Sequence, residues 1–159
     1  MIPFVSLVGY SNSGKTTVMA SLIRIIKQRG YRVAAVKHAS HGYTMDPPGL
    51  DSWHYTQAGA DQVVVAGPES VTMHEFVQNI SLKDILDRIK NVDVILVEGF
   101  KNQPGPKIEI FRSGISADRV PENDNLLAVV SDIPVAGDTP VFLFEQLEEL
   151  ADFIIHNIK

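Results

Sequence analysis

Residues 9–16 read GYSNSGKT, which has the spacing GxxxxGKT. Glycines at both ends of such a segment let the backbone curl so that successive N–H groups point inward, and a following helix adds its positive N-terminal end. The pattern predicts a cradle for two or three phosphates, in which Lys15 reaches the β- and γ-phosphates and the Thr16 hydroxyl takes one Mg²⁺ position. A chance glycine turn before a helix is the alternative. The residues predicted to bind here are Gly9, Ser11, Asn12, Ser13, Gly14, Lys15, Thr16 and Thr17.

A carboxylate ends the most apolar segment of the chain, VDVILVE, at Glu98. In a sheet of this kind a carboxylate at the end of such a strand approaches the metal, usually through water. This position favours a Walker-B-like role for Glu98, which would share the Mg²⁺ site with Thr16. A strand-end carboxylate that faces solvent is the alternative. Asp93, near the start of the same segment, is expected to have a structural role.

A loop rich in turn-forming residues follows the strand predicted over residues 31–37. It reads HASHGYTMDPPGLD over residues 38–51. Long ordered loops in compact domains are often functional. Lys37 and His38 are predicted to contact phosphate or a partner, or to act as a pH-sensitive switch. With His41 they form only a weak metal pattern, and we expect no zinc there. Asp46 is a candidate for orienting water or reaching Mg²⁺, which would make Lys15, Asp46 and Glu98 the catalytic residues; a turn or helix-capping role for Asp46 is the alternative.

We expect the residue that selects the nucleobase to lie at the end of one of the last strands. A carboxylate there can accept two hydrogen bonds from guanine, whereas adenine presents only one donor to the same region. The segment AVVSD supplies Ser131 and Asp132 in this place, although the NKxD sequence of common GTPases is absent. The sequence therefore favours guanine, with a turn role for Asp132 before Pro134 as the alternative.

The elements that would position these residues follow from apolar periodicity. A strand over 2–8, a helix over 16–29 and a strand over 31–37 form a βαβ start, which implies parallel pairing with right-handed crossovers. Beyond the loop we predict a short helix opened by Asp51 or Ser52, a hairpin around AGPE and a helix capped by Ser81. Further strands are predicted at VDVILVEGF, KIEIF and LLAVVSD, followed by a helix over about 145–158. The predicted fold is a single-domain α/β P-loop NTPase, residues 1–159, with a mostly parallel central sheet flanked by helices and a β-hairpin extension.

Composition narrows the function classes. The 159 residues carry a net charge of −5 and no cysteine, which excludes disulfides and thiolate metal sites. Residues 1–45 hold six bases and no acid, so this segment is +6 and the remainder −11. The positive field surrounds the glycine-rich segment, while the acidic remainder argues against nucleic acid as a partner. No apolar run is long enough for a membrane span, and residues 1–9 lack the features of a signal peptide, so we expect a cytoplasmic protein.

Nearly end to end, the chain resembles the molybdopterin-guanine dinucleotide biosynthesis protein B (MobB) family. The resemblance rests on GYSNSGKTT, on KHASHGYTMDPPGLDS with the following AGA, on ILVEGFK and on AVVSD. It implies a P-loop protein that binds GTP with Mg²⁺, hydrolyses it slowly and assists the partner enzyme that attaches GMP to molybdopterin; a contact with molybdopterin itself is left open. It also implies a homodimer, for which the predicted hairpin over about 62–76 offers an edge. Ser40 and Leu50 depart from the family loop, where a histidine and a lysine are usual, and this weakens any second anion site.

Two other functions fit the same phosphate loop. One is a small-molecule kinase that uses ATP, although the cations Lys101, Lys107, Arg112 and Arg119 are spread over a segment that contains a strand and makes a poor lid. The other is an adaptor that binds nucleotide without hydrolysing it. No arginine finger is evident in the sequence, and a protein without one hydrolyses slowly on its own.

Overall fold

The computed structural model describes residues 1–120 and 125–158 of the chain, which is of the α/β class as the sequence predicts. The strands are β1 (Phe4–Val8), β2 (Val33–Lys37), β3 (Gln62–Ala66), β4 (Val71–Glu75), β5 (Val94–Glu98), β6 (Lys107–Phe111), β7 (Leu126–Ser131) and β8 (Val141–Leu143). The helices are α1 (Lys15–Gln28), α2 (Asp51–Gln57), α3 (Leu82–Arg88) and α4 (Leu147–Asn157).

Six strands form one parallel sheet in the order β2-β5-β1-β6-β7-β8, so the predicted parallel central sheet is confirmed. β1 lies inside the sheet, hydrogen-bonded to β5 on one side and to β6 on the other. β2 pairs with β5 rather than with β1. The carboxyl ends of all six strands meet at one edge, which is where open parallel sheets bind ligands.

Apolar side chains cover both faces of the central sheet. On one face, α1 and α4 pack through residues such as Leu22 and Leu150 against strand residues such as Leu7, and all three are fully buried. On the other face, α3 packs through Leu86 near the buried Ile95 of β5. Burying one such side chain stabilises the fold by about 1.5–3 kcal/mol, so these two layers hold the strand ends in place.

Glycines mark both ends of α1. Gly14, at the N-cap, has φ +101°, and no side chain caps the first turn of the helix. At the other end Gly30 has φ +89°, and its N–H donates to the carbonyl of Lys27 at 3.0 Å. Gly30 therefore follows the helix in the left-handed conformation that the sequence pattern predicts.

Backbone contacts divide the chain into two compact units. One consists of residues 1–38 and 82–159, and the other of Ala39–Ser81. The second unit contains the loop after β2, helix α2 and the predicted hairpin, in which β3 and β4 pair antiparallel and the N–H of Gly67 donates to the carbonyl of Ser70 at 2.8 Å. The single-domain organisation stays a prediction.

Two local features differ from the sequence-based expectation. Asp51 and Ser52 do not open α2 as caps; the N-cap residue is Leu50, with no side-chain cap, and its carbonyl accepts from the N–H of His54 at 3.1 Å. The three-residue strand β8 was not predicted, because PVFL is too short to show a strand period. In the part of the chain that the structure describes, no helix has the length and apolar character needed to cross a membrane.

Candidate functional site

The segment between β1 and α1 has the backbone conformation of a phosphate cradle. Gly9 has φ +152°, Asn12 φ +64° and Gly14 φ +101°, so the chain curls tightly after β1. A Cβ placed at Gly9 would lie 2.4 Å from the backbone oxygen of Ile110 on the neighbouring strand. Only glycine fits at this approach, which gives the first glycine of the motif a packing reason as well as a conformational one.

Ser13 is a buried residue of this cradle, with 2% of its surface exposed. Its Oγ has no hydrogen-bond partner among the described residues. A buried hydroxyl left unpaired costs about 1–3 kcal/mol. Together with the uncapped first turn of α1, this hydroxyl offers hydrogen bonds that a phosphate oxygen accepts.

The Lys15 side chain folds back over the loop. Its Nζ donates to the carbonyl oxygens of Gly9 at 3.0 Å and Tyr10 at 2.6 Å. Partial burial lowers the pKa of Lys15, while the negative charge of Glu98 acts to raise it and the positive charge of Lys37 acts to lower it. The ammonium is thus held at the loop by weak neutral acceptors, and an anion would compete well for it.

The Glu98 carboxylate contacts Thr16, the other predicted metal-site residue, and Lys37. The Thr16 hydroxyl donates to both carboxylate oxygens at 3.2 Å, and Lys37 Nζ donates to Oε1 at 2.8 Å. The strand register explains this meeting, because Glu98 stands opposite Leu7 on β1 and opposite Lys37 on β2. Glu98 is only 9% exposed, so the alternative of a solvent-facing carboxylate does not hold. The structure therefore brings together residues that lie 82 positions apart in sequence.

His38 stacks on a residue that the sequence analysis missed. The His38 ring lies 4.2 Å from that of Phe100 at an interplanar angle of 20°, and the backbone N–H of His38 donates to the Glu98 carbonyl at 2.9 Å. Phe100 has φ +55°, an unusual conformation for an aromatic residue. A Cβ at Gly99 would lie 2.9 Å from the His38 Cβ. The sequence signal for this contact is Gly99, between Glu98 and Phe100, since only glycine lets the backbone come this close to His38.

Asp132 follows β7 at the predicted place and is exposed. Its carboxylate accepts hydrogen bonds from the N–H of Ser113 at 2.9 Å and from the Ser113 hydroxyl at 3.0 Å. These bonds, the one from the Ser113 backbone foremost, lower the pKa of Asp132 and keep it ionised. Ser131 is fully buried, and its Oγ accepts from the N–H of Ile133 at 3.1 Å, so this hydroxyl serves the local turn. Ser113 was not predicted, because nothing local in its sequence marks a contact 19 residues away.

His41, Asp46 and Asp93 are the other residues that the sequence analysis named. Asp46 and His41 belong to the loop of the second unit, and their roles stay predictions. Asp93, at the other end of β5 from Glu98, forms an ion pair with Arg32 at 2.8 Å and accepts from the Arg32 N–H at 2.7 Å. These hydrogen bonds lower the pKa of Asp93 to about 2. Asp93 therefore ties the start of β5 to the residue just before β2, as a structural residue would.

Comparison with known proteins identifies the family. The family model for MobB, described as molybdopterin guanine dinucleotide synthesis protein B, matches residues 4–132. The chain belongs to the MobB family. MobB relatives include the molybdopterin-guanine dinucleotide biosynthesis adapter proteins of Haemophilus influenzae, 35% identical over 96% of this chain and 88% of that protein, and of Escherichia coli, 35% identical over 98% and 93%.

Solved MobB structures share the fold. A crystal structure of molybdopterin-guanine biosynthesis protein B superposes with a TM-score of 0.72 at 29% identity, covering 96% of this chain and 97% of that one. The crystal structure of Bacillus subtilis MobB gives a TM-score of 0.76 at 26% identity and covers 99% of both chains. The predicted P-loop NTPase-like α/β fold and the resemblance to MobB are both confirmed.

Proposed function

We propose that this MobB-family protein binds GTP with Mg²⁺ at the loop of residues 9–16, hydrolyses it slowly, and acts as an adapter for the enzyme that attaches GMP to molybdopterin. The observation that carries the proposal is the meeting of Thr16, Glu98 and Lys37 at the rim of a phosphate cradle that holds an unpaired buried hydroxyl. The adapter role is supported by the names of the relatives from Haemophilus influenzae and Escherichia coli.

The residues at the cradle fit both the phosphates of a nucleotide and a Mg²⁺ ion. The cradle N–H groups, Ser13 Oγ and Lys15 Nζ would hold the phosphates. Mg²⁺ usually takes one or two protein oxygens and completes its shell with waters and phosphate oxygens. Thr16 Oγ1 and the Glu98 carboxylate would supply those oxygens. Residues 1–120 and 125–158 contain no group of three or more histidine, aspartate or glutamate side chains that could hold a metal ion without such help. Mg²⁺ would supply charge neutralisation at the phosphates.

The protein's own residues would then act in fixed roles. Lys15 would exchange its bonds to the Gly9 and Tyr10 carbonyls for phosphate oxygens. Thr16 would turn its hydroxyl from Glu98 to the cation, and Glu98 would remain partly neutralised by Lys37. Asp46 is the proposed residue for orienting the attacking water. Because no arginine finger is evident in the sequence, hydrolysis by the isolated protein is expected to be slow.

The alternative of an ATP-dependent kinase is weakened by how the cations between β5 and β7 are used. Arg119 binds Glu109 at 2.7 Å, and Lys107 Nζ donates to the carbonyls of Gln103 and Gly105 at 2.7 and 3.2 Å. Arg112 lies against the ring of Phe144. These three cations are engaged with the protein and do not form a basic lid. The non-hydrolysing adaptor remains the second candidate, since the site geometry suits binding equally well.

A homodimer is part of the proposal, through the hairpin of the second unit. Val64, Ala66, Val71 and Met73 share one face of the hairpin by the register of β3 and β4. Val64, Val71 and Met73 are 53, 67 and 61% exposed, an apolar surface that a second copy would cover. Light scattering at matched concentrations should give a dimer for the wild type and a monomer for Met73→Lys, and a monomeric wild type would remove this part of the proposal.

The direct test is calorimetric titration with Mg²⁺-GTP and Mg²⁺-ATP, followed by phosphate release on the same samples. We expect tighter binding of GTP, with slow release. Lys15→Ala should abolish binding, whereas Lys90→Ala, which removes an exposed lysine after α3, should leave it unchanged. Full GTP affinity in Lys15→Ala would contradict the site. Preference for ATP would move the kinase forward, and tight GTP binding without release, with the partner enzyme present, would favour the adaptor.

A further inference from the structure

Three side chains that follow neighbouring strands lie in one row at the ligand edge of the sheet. Phe111, the last residue of β6, stands opposite Ser131, the last residue of β7, and Ser131 stands opposite Leu143, the last residue of β8. The residues that come next in each strand are therefore neighbours across the edge. They are Arg112, Asp132 and Phe144, and of these the sequence analysis placed only Asp132 at the nucleotide.

Arg112 and Phe144 form a stacked pair in this row. The guanidinium carbon of Arg112 lies 4.2 Å from the centre of the Phe144 ring. Phe144 is held from beneath because it packs, partly buried, against the core shared by α1 and α4. A planar guanidinium has two faces and stacks readily on aromatic rings. With Phe144 on one face, the other face can receive a planar ligand.

The stacked pair adjoins the phosphate cradle. A Cβ placed at Gly14 would lie 3.5 Å from Arg112 Nη2 and 3.5 Å from Phe144 Cε1. Gly14 is the N-cap of α1, so the pair begins where the cradle ends. On its other side Ser113, the neighbour of Arg112, fixes the Asp132 carboxylate by two hydrogen bonds. Each carboxylate oxygen accepts one of these bonds and keeps a further lone pair for a ligand.

The geometry points to Arg112, supported by Phe144, as the stacking platform for the nucleobase, with Ser113 orienting Asp132 toward the base edge. This inference rests on the proposed function, since it names the base subsite of the same nucleotide. The planar guanidinium contacts the face of a purine, and the Asp132 carboxylate accepts from the two donors of a guanine edge. Stacking supplies affinity for any purine, and Asp132 supplies the preference for guanine.

The test distinguishes binding of the nucleobase from binding of the phosphates. Calorimetric titrations use Mg²⁺-GTP and Mg²⁺-tripolyphosphate, which has the phosphates alone, with the wild type and the variants Arg112→Lys and Phe144→Leu. Arg112→Lys keeps the charge and loses the planar stack, and Phe144→Leu keeps an apolar side chain against the core. We expect each to weaken GTP binding about tenfold, because the base loses stacking surface, and to change tripolyphosphate binding by less than about twofold. Arg24→Ala, an exposed change on α1, is the control and should alter neither.

The outcomes are distinct. Arg112→Lys with wild-type affinity for GTP overturns the platform, as does an equal loss for GTP and tripolyphosphate, which would make Arg112 a phosphate ligand. A wild type that binds tripolyphosphate as tightly as GTP also overturns it and leaves the phosphate site standing. A wild type that binds neither compound refutes the proposed function itself. Unchanged melting temperatures in the variants show that affinity, not folding, was altered.

Discussion

Replacing Gly9 by alanine should damage both stability and the cradle. The new Cβ would stand 2.4 Å from the Ile110 backbone oxygen, about 1 Å closer than ordinary van der Waals contact, and 2.9 Å from Ser13 Oγ. The obstacle on the Ile110 side is backbone, which cannot rotate away, so β1 and β6 must separate or the loop must shift. Overpacking of this kind costs about 1–3 kcal/mol, and a side chain at positive φ adds about 1–2 kcal/mol. We therefore expect Gly9→Ala to lower the free energy of unfolding by about 2–5 kcal/mol.

The matched control is Gly30→Ala, in the same structural unit. Gly30 has φ +89°, but a Cβ there would meet nothing within 4 Å. This variant carries the conformational cost alone and should lose about 1–2 kcal/mol. Urea unfolding followed by circular dichroism gives both values. If Gly9→Ala is no less stable than Gly30→Ala, the close approach of the loop to β6 is relieved without cost, and the packing reason for the first motif glycine is wrong.

Three other changes test separate features. Asp93 has its folded-state pKa lowered from 3.8 to about 2, so its contribution to stability is present above pH 3.8 and is lost as the pH falls toward 2; in urea titrations Asp93→Asn should flatten the pH dependence of stability over this window, and an unchanged slope would contradict the ion pair. Glu98→Ala should retain nucleotide binding but need more Mg²⁺ for it, and an identical Mg²⁺ titration would exclude Glu98 from the metal site. Arg119→Met removes the counter-charge of Glu109, a carboxylate that is 2% exposed and would keep the hydrogen bond from the Val120 N–H at 2.7 Å. The change should cost about 3–5 kcal/mol in urea unfolding at neutral pH, against no measurable loss for Arg24→Ala.

The spacing of apolar residues, and the glycines and acids that end the apolar runs, were enough to predict the main strands and helices. The apolar run before Gly9, the helical spacing that ends at Gly30 and the run before Glu98 each predict an element that the structure contains. These signals are local, because they depend on burial of one stripe or one strand. The phosphate loop and the Glu98 carboxylate at the end of β5 could be placed for the same reason, since parallel strands end at a common edge.

Contacts between residues that are distant in the chain could not be predicted from the sequence. The bonds from Ser113 to Asp132, the stack of Phe100 on His38 and the contact of Arg112 with Phe144 depend on which strands are neighbours. No local pattern contains the strand order. The same limit applies to the ion pair of Lys37 with the Glu98 carboxylate, a partner 61 positions away; the predicted contact of Lys37 with phosphate or a partner stays a prediction.

The position of β5 between β1 and β2 has a consequence for synthesis of the chain. A ribosome that has released β1, α1 and β2 has made two strands that do not hydrogen-bond to each other, because the strand that joins them begins only at Val94. Contacts between residues so distant in sequence form slowly and leave apolar edges open in the meantime. The nucleotide loop therefore leaves the ribosome well before Glu98 and Ile110, the distant residues that lie against it. A nascent chain that ends before Glu98 should be unable to recognise nucleotide and should depend on chaperones to stay unaggregated.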